Sequence, residues 1–172
     1  VDNETSYKTG LHISGGDYAK GLAITLFPSD VDACDVPVPE NVQLVSPILS
    51  TYVKSLTPLP VRLREHVVVY VSGASAKCEW LYATLARMPE FQFKIFVPPD
   101  ELMGCELQDA ANLHFYRANY KHFVDALQGA ICAITNSGMQ TAAEALYLRV
   151  RNFALPTANH HAQKAVGESF PC

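Results

Sequence analysis

Positive charge is in short supply in this chain. Thirteen Lys and Arg stand against 17 Asp and Glu, leaving a formal net charge of -4 with the six His taken as neutral. No cation excess exists to neutralise a nucleic-acid backbone, which excludes a general nucleic-acid binder, although a few local donors can still hold a small anion. Cysteine is sparse and scattered: Cys34, Cys78, Cys105, Cys132 and Cys172 form no CxxC pair. That spacing argues against both a disulfide scaffold and a zinc site, and is the usage expected of buried thiols in a reducing cytoplasm. No apolar run approaches the roughly 18 to 20 residues that span a bilayer, so membrane contact is expected to be peripheral at most. The chain opens on Val1 without a secretory leader pattern. Neither an internal repeat nor a low-complexity tract appears.

What is present is apolar. Hydrophobic residues make up 49% of the 172 and charged residues 17%, the balance of a globular, soluble domain able to bury one good core. The first 65 residues and the rest differ in texture. Residues 1–20 are polar without a clear period. Gly21 to Phe27 and Asn41 to Val45 are short strand candidates separated by the acidic, Pro-rich PSDVDACDVPVPE. Ser50 to Arg64 carries Pro58 and Pro60 and reads as a connector.

From His66 onward strands and helices alternate. The run HVVVYVS (His66 to Ser72) is continuously apolar, as in a parallel strand covered on both faces. A helix over Ala76 to Met88 follows, with Ser75 as its N-cap and Trp80, Leu81, Leu85 and Met88 at helical spacing. Further strands are predicted at Phe91 to Val97, Asn112 to Tyr116, Ala130 to Thr135 and Asn152 to Leu155. Helices are predicted at Tyr120 to Gln128, Met139 to Leu148 and His161 to Phe170. This order implies a Rossmann-like α/β fold with a parallel sheet.

Three turns at the carboxyl ends of these strands carry the chemistry. Ser72-Gly73-Ala74-Ser75 follows the first regular strand; Gly73 permits close backbone approach and the serines offer hydroxyls. The turn lacks a full GxGxxG, which argues against a dinucleotide dehydrogenase. Thr135-Asn136-Ser137-Gly138-Met139-Gln140-Thr141 turns into a helix whose first amides have no intrahelical acceptors. With the helix dipole these amides suit an anionic phosphate, and Glu144 is close enough to meet a ribose beside it. The alternative reading is an ordinary helix start capped by Ser137, with Glu144 solvated. Pro156 to Gln163 (PTANHHAQ) passes over the same edge, bringing His160, His161 and Gln163. Adjacent histidines seldom face one ion and no carboxylate cluster accompanies them, so no metal is expected.

In these residues the chain resembles the C-terminal, donor-binding domain of GT-B glycosyltransferases. The likeness is greatest to relatives of the UDP-GlcNAc-dependent transferase of peptidoglycan synthesis. It rests on ITNSGMQTAAEALYL, then FALP, then HHAQKA, in that order, and covers Asn41 to Phe170. The resemblance implies that Ser137, Gly138, Met139 and Gln140 meet a diphosphate with Thr141 nearby, and that Gly73 and Ser75 lie against the phosphates. It further implies that Glu144 takes ribose hydroxyls, that Gln163 meets the sugar with His161 near it, and that Ala118, Asn119 and Tyr120 frame the base. Ser50 stands where many relatives have Arg, Arg149 and Arg151 where Gly and Pro are usual, Ala162 where an acid is common, and Val166 where Asn is frequent.

The expected organisation is the end of an N-terminal domain and a loop over residues 1–40, an interdomain connector over 41–65, and a truncated nucleotide-sugar-binding domain over 66–172. The expected function is to bind a nucleotide-sugar, a UDP-sugar first, for transfer to an acceptor, without a cofactor. A catalytic base would lie outside the chain, which is expected to be a piece of a longer, cytoplasmic enzyme and inactive by itself. Two alternatives stay open: a non-catalytic nucleotide-binding module, suggested by Ser50 and Ala162, and a nucleotide-sugar epimerase or hydrolase of the same fold.

Overall fold

The computed structural model describes residues 21–24, 42–71, 79–98 and 110–168. Two short parallel strands come first, β1 (Gly21–Ile24) and β2 (Val42–Val45), with Gly21 opposite Val42 and Ile24 opposite Val45. Helix α1 (Thr51–Ser55) and a 3-10 turn (Val61–Leu63) occupy the stretch predicted as a plain connector. Ser50 starts α1 as its N-cap, its hydroxyl oxygen accepting from the Val53 amide at 3.2 Å.

The remainder is a five-stranded, all-parallel sheet. Its strands are β3 (His66–Tyr70), β4 (Phe93–Val97), β5 (Leu113–Arg117), β6 (Ala130–Thr135) and β7 (Arg151–Ala154), in the spatial order β5-β4-β3-β6-β7. The helices between and after them are α2 (Glu79–Ala86), α3 (Tyr120–Gln128), α4 (Met139–Tyr147) and α5 (His161–Glu168). The chain builds outward from β3 to β5, then crosses back to set β6 against β3. That reversal leaves a crevice beyond the carboxyl ends of β3 and β6, the place where open α/β sheets bind ligands.

Valine alternation in β3 shows how both faces are covered. Val67, Val69 and Val71 pack with Ile95 and Val97 of β4 and with Leu81, Tyr82 and Leu85 of α2. Val68 points the other way and joins Phe96, Ala133 and residues of α1, α3 and α4, including Val53, Val124, Leu127 and Ala145, with Leu148 just beyond α4. A period of two with apolar residues on both sides is what a strand between two helix layers requires.

The predicted elements all recur, α3 and β6 with the predicted ends and the others with different ones. Strand β3 stops at Tyr70, β4 begins at Phe93, β5 runs one residue later than expected, and β7 one residue earlier. The proposed Ser75 cap lies outside the described residues, and the helix is observed from Glu79 to Ala86. Trp80, expected on its buried face, is 63% exposed; Leu81, Tyr82 and Leu85 bury the stripe instead. Spacing alone cannot choose between adjacent apolar residues, and the larger Trp stays at the surface. Of the cysteines, Cys132 is described: it is half-buried on β6, and burial pushes its thiol pKa up, away from reactivity. No helix among the described residues is long and apolar enough to cross a membrane.

Candidate functional site

The turn from β6 into α4 is held by a closed set of hydrogen bonds. Thr135 Oγ1 donates to Asn152 Oδ1 at 2.8 Å and accepts from the Ser137 amide at 3.0 Å, while Asn152 Nδ2 reaches Ser137 Oγ at 3.4 Å. Ser137 adopts φ 58, the left-handed region, and is fully buried. A non-glycine residue there is uncommon, and the network around Asn152 is what fixes it. Ser137 therefore shapes the turn, with its hydroxyl and its amide both engaged inside the fold.

The cap of α4 is Gly138, not Ser137, and no side chain closes this helix end. Its first-turn amides have no intrahelical acceptor. Gly138 has φ -60 and ψ 136, which any residue adopts, and an added Cβ there would meet nothing within 4 Å. The fold does not need glycine at this position; what glycine does is keep the backbone accessible in front of the helix.

Beside this helix end lies a cavity of about 310 Å³ lined by Tyr70, Phe96, Ala118, Asn119, Tyr120, Phe123, Gln140, Thr141 and Glu144. Its wall is aromatic: the Phe96 and Phe123 rings meet edge to face with centroids 5.5 Å apart, and Tyr70 lies 5.2 Å from Phe123. Asn119 N-caps α3, its Oδ1 accepting from the His122 amide at 3.1 Å, and the Ala118 amide donates to Val97 at 2.8 Å. Those bonds fix the loop that the sequence placed around a base.

Glu144 is 1% exposed yet anionic in kind, so it needs partners. Tyr120 Oη donates to its Oε1 at 2.9 Å, and Gln140 Nε2, one helical turn earlier, donates to the same oxygen at 2.9 Å. No hydrogen bond from the described residues reaches Oε2. Tyr120 is in turn 2.8 Å from Ser50 Oγ. Removal from water raises the Tyr120 hydroxyl pKa; the Ser50 hydrogen bond pulls it back, and the adjacent Glu144 carboxylate raises it. Tyrosine thus keeps its proton to donate. The solvated Glu144 of the alternative reading is not what the fold adopts.

On the first turn of α5 Gln163 is half-buried, its Oε1 accepting from the amide of Thr157 in the preceding loop at 2.8 Å. His161 is exposed at the start of α5, and His160 Nδ1 faces the Gln163 amide at 3.4 Å in an N-cap position. Among the described residues no group of His, Cys, Asp and Glu could hold a metal ion. Gly73 and Ser75 lie outside the described residues. Met139 and Thr141 are half-buried on the first turn of α4, and Gln140 is exposed beside them. The structure therefore brings together Ala118, Asn119, Tyr120, Gln140, Thr141 and Glu144 around one cavity, and sets Gln163 and His161 apart from it on the first turn of α5.

Tyr120 as a partner of Glu144 was not foreseen from the sequence, nor was Asn119 as a cap. The Asn-x-x-His spacing before an amphipathic helix is a legible cap signal. Contact between Tyr120 and Glu144, 24 residues apart, has no local signature.

No curated protein sequence matches the chain. Among solved structures it is similar to the glycotransferase of kitacinnamycin, at 17% identity and a TM-score of 0.59, covering 83% of this chain and 38% of that one. A second similarity, to the glycosyltransferase SnogD from Streptomyces nogalater, has 20% identity, a TM-score of 0.49 and coverage of 83% and 40%. The chain spans about two fifths of the length of the solved structures it matches. The first likeness shares the helix-flanked parallel sheet, so the expected Rossmann-like α/β class is the one adopted. The model of the family described as Glycosyl transferase family 1 matches residues 33–166. With most of its length matched, including the whole parallel sheet, the chain belongs to glycosyl transferase family 1.

Proposed function

We infer that this chain binds the nucleotide-sugar donor of a glycosyl transfer, with a uridine diphosphate sugar as the first candidate. The observation that carries the reading is Glu144: a buried carboxylate at the switch-point crevice, one oxygen held by the protein, beside an uncapped helix N-terminus. A carboxylate accepts from ribose hydroxyls, and helix-end amides donate to a diphosphate without needing a metal. The same amides would stabilise the charge that develops on a departing nucleoside diphosphate.

In this reading Gly138, Met139, Gln140 and Thr141 meet the diphosphate, Glu144 the ribose, and Ala118, Asn119 and Tyr120 the base. Ser137 supports the turn, Gly73 and Ser75 lie against the phosphates, and Gln163 and His161 face the sugar. Residues 66–172 form the donor domain, 41–65 the connector, and 1–40 the end of a preceding domain. No catalytic base is assigned to this chain. The resemblance of ITNSGMQTAAEALYL, FALP and HHAQKA to the UDP-GlcNAc transferase of peptidoglycan synthesis makes UDP-GlcNAc the first sugar to try, in a proposed cytoplasmic setting.

Titrating UDP into the isotopically labelled chain and following its amide resonances tests the site. Shifts concentrated at residues 138–141 and around Ala118 to Tyr120 are expected; shifts confined to the opposite end of the sheet would reject the assignment. The competing non-catalytic module is favoured by Ser50, whose hydroxyl is committed to α1 and Tyr120 and supplies no charge. Release of UDP from UDP-GlcNAc in the presence of acceptor extracts, by a polypeptide of the matched glycosyltransferases' length, separates transferase from binder.

A further inference from the structure

Glu144 is held by a chain of hydrogen bonds that begins outside the sheet. The Val53 amide donates to Ser50 Oγ at 3.2 Å, Ser50 Oγ lies 2.8 Å from Tyr120 Oη, and Tyr120 Oη donates to Glu144 Oε1 at 2.9 Å. Tyrosine has one proton and spends it on the carboxylate, so the bond between Ser50 and Tyr120 runs from the serine hydroxyl to the phenol oxygen. Each donor is polarised by the one behind it. The second donor on Oε1, Gln140 Nε2, comes from α4 itself.

We propose that Tyr120 is a positioning residue for ribose recognition: its hydroxyl, anchored by Ser50, fixes Oε1 of Glu144 so that Oε2 faces the cavity as the acceptor for a ribose hydroxyl. This rests on the reading of the cavity as the nucleotide site. Two donors saturate Oε1, and among the described residues none reaches Oε2. The carboxylate is thereby held in one orientation before the nucleotide arrives, and the cost of ordering it does not fall on binding. Ser50 reaches the cavity through Tyr120, which lines it. The connector before the sheet is thus tied to the ribose end of the site by side chains 70 residues apart.

The test compares the affinities of UDP and 2′,3′-dideoxy-UDP for the wild-type chain, Tyr120→Phe and Glu144→Gln, by calorimetry. A hydrogen bond to a charged acceptor makes the wild type prefer UDP by about tenfold or more. Tyr120→Phe is expected to cut that preference at least about threefold, by weakening UDP more than the dideoxy nucleotide. Glu144→Gln is expected to bring the ratio nearer to one. Tyr120 is half exposed and the Phe ring keeps its shape, so melting temperature serves as the control for folding. A purely structural role would weaken both nucleotides equally. An unchanged ratio in Tyr120→Phe, with a clear preference in the wild type, overturns the positioning role and leaves the ribose site standing. A wild-type ratio of one, or no binding of either nucleotide, overturns the ribose reading and this inference with it.

Discussion

The guanidinium of Arg64 stands 2.7 Å from the carbonyl oxygen of Arg149, so a cation from the connector closes the end of a helix 85 residues away. The same group bonds the Leu148 carbonyl at 3.0 Å and, through Nε and its other amino nitrogen, the Leu59 carbonyl at 3.0 and 2.9 Å. Arg64 is only 8% exposed, and no carboxylate is among these partners. Its charge is neutralised by carbonyl dipoles at the negative end of α4, whose positive end faces the proposed phosphate.

Arg64→Ala would leave those carbonyls without donors in a buried place. A loss of about 3 kcal/mol is expected, read as a lower urea midpoint with an unchanged slope. Arg64→Lys should recover only part of it, because one ammonium cannot bond the four carbonyls of Leu59, Ala130, Leu148 and Arg149 in a fork. A midpoint within error of wild type for Arg64→Ala would contradict this role.

Arg149 occupies the left-handed position that ends α4, with φ 56. The Val150 amide donates to Ala145 at 2.8 Å and the Arg149 amide to Leu146 at 3.0 Å, the paired bonds of a Schellman end. Glycine is the residue without a steric cost there. Arg149→Gly is expected to raise stability by about 1 kcal/mol, visible as a higher urea midpoint, since the carbonyl that Arg64 uses belongs to the backbone and survives the change.

Gly167 makes the opposite prediction to helix propensity. Alanine would favour α5 by up to about 1 kcal/mol in isolation. An added Cβ, however, would lie 2.7 Å from Ala154 Cβ on β7, an atom that cannot swing away. Gly167→Ala is expected to lower stability by about 1 to 3 kcal/mol, and adding Ala154→Gly should restore much of it. Stabilisation by Gly167→Ala alone would show that α5 is not seated so closely on β7.

His66 sets a pH dependence. Its Nε2 is 2.8 Å from the Ala126 carbonyl, and burial lowers its pKa, with Lys94 acting in the same direction and the backbone bond and Glu65 against it. The folded state binds the proton less readily than the unfolded chain, whose histidine titrates near 6.5. Stability is therefore full above that pH and falls as pH drops below it. Urea midpoints at pH 7.5 and 5.5 should differ less in His66→Gln than in wild type; equal differences would remove His66 as a source.

How much of this was legible in the sequence follows from what is local. Helix α3 and strand β6 have the predicted ends, Tyr120–Gln128 and Ala130–Thr135, because an Asn cap, an apolar stripe and a glycine boundary all act within a few residues. The αL demand at Arg149 was half visible, as a position where relatives carry Gly. Neither Arg64 nor Tyr120 could be singled out, since their partners lie on elements brought near only by the crossover from β5 to β6. The Ser137 cap of the alternative reading is not adopted for a related reason: the serine stands where a cap usually does, but Asn152 on β7 draws it inward and the cap position falls to Gly138.

The measurement that bears most directly on the nucleotide site is the affinity of the chain for UDP, by calorimetry, in wild type and Glu144→Ala. Binding in the wild type and a loss of about tenfold or more in the variant are expected, because a charged acceptor for ribose hydroxyls is removed. No UDP binding by the wild type, or equal affinity in the two proteins, would contradict the account.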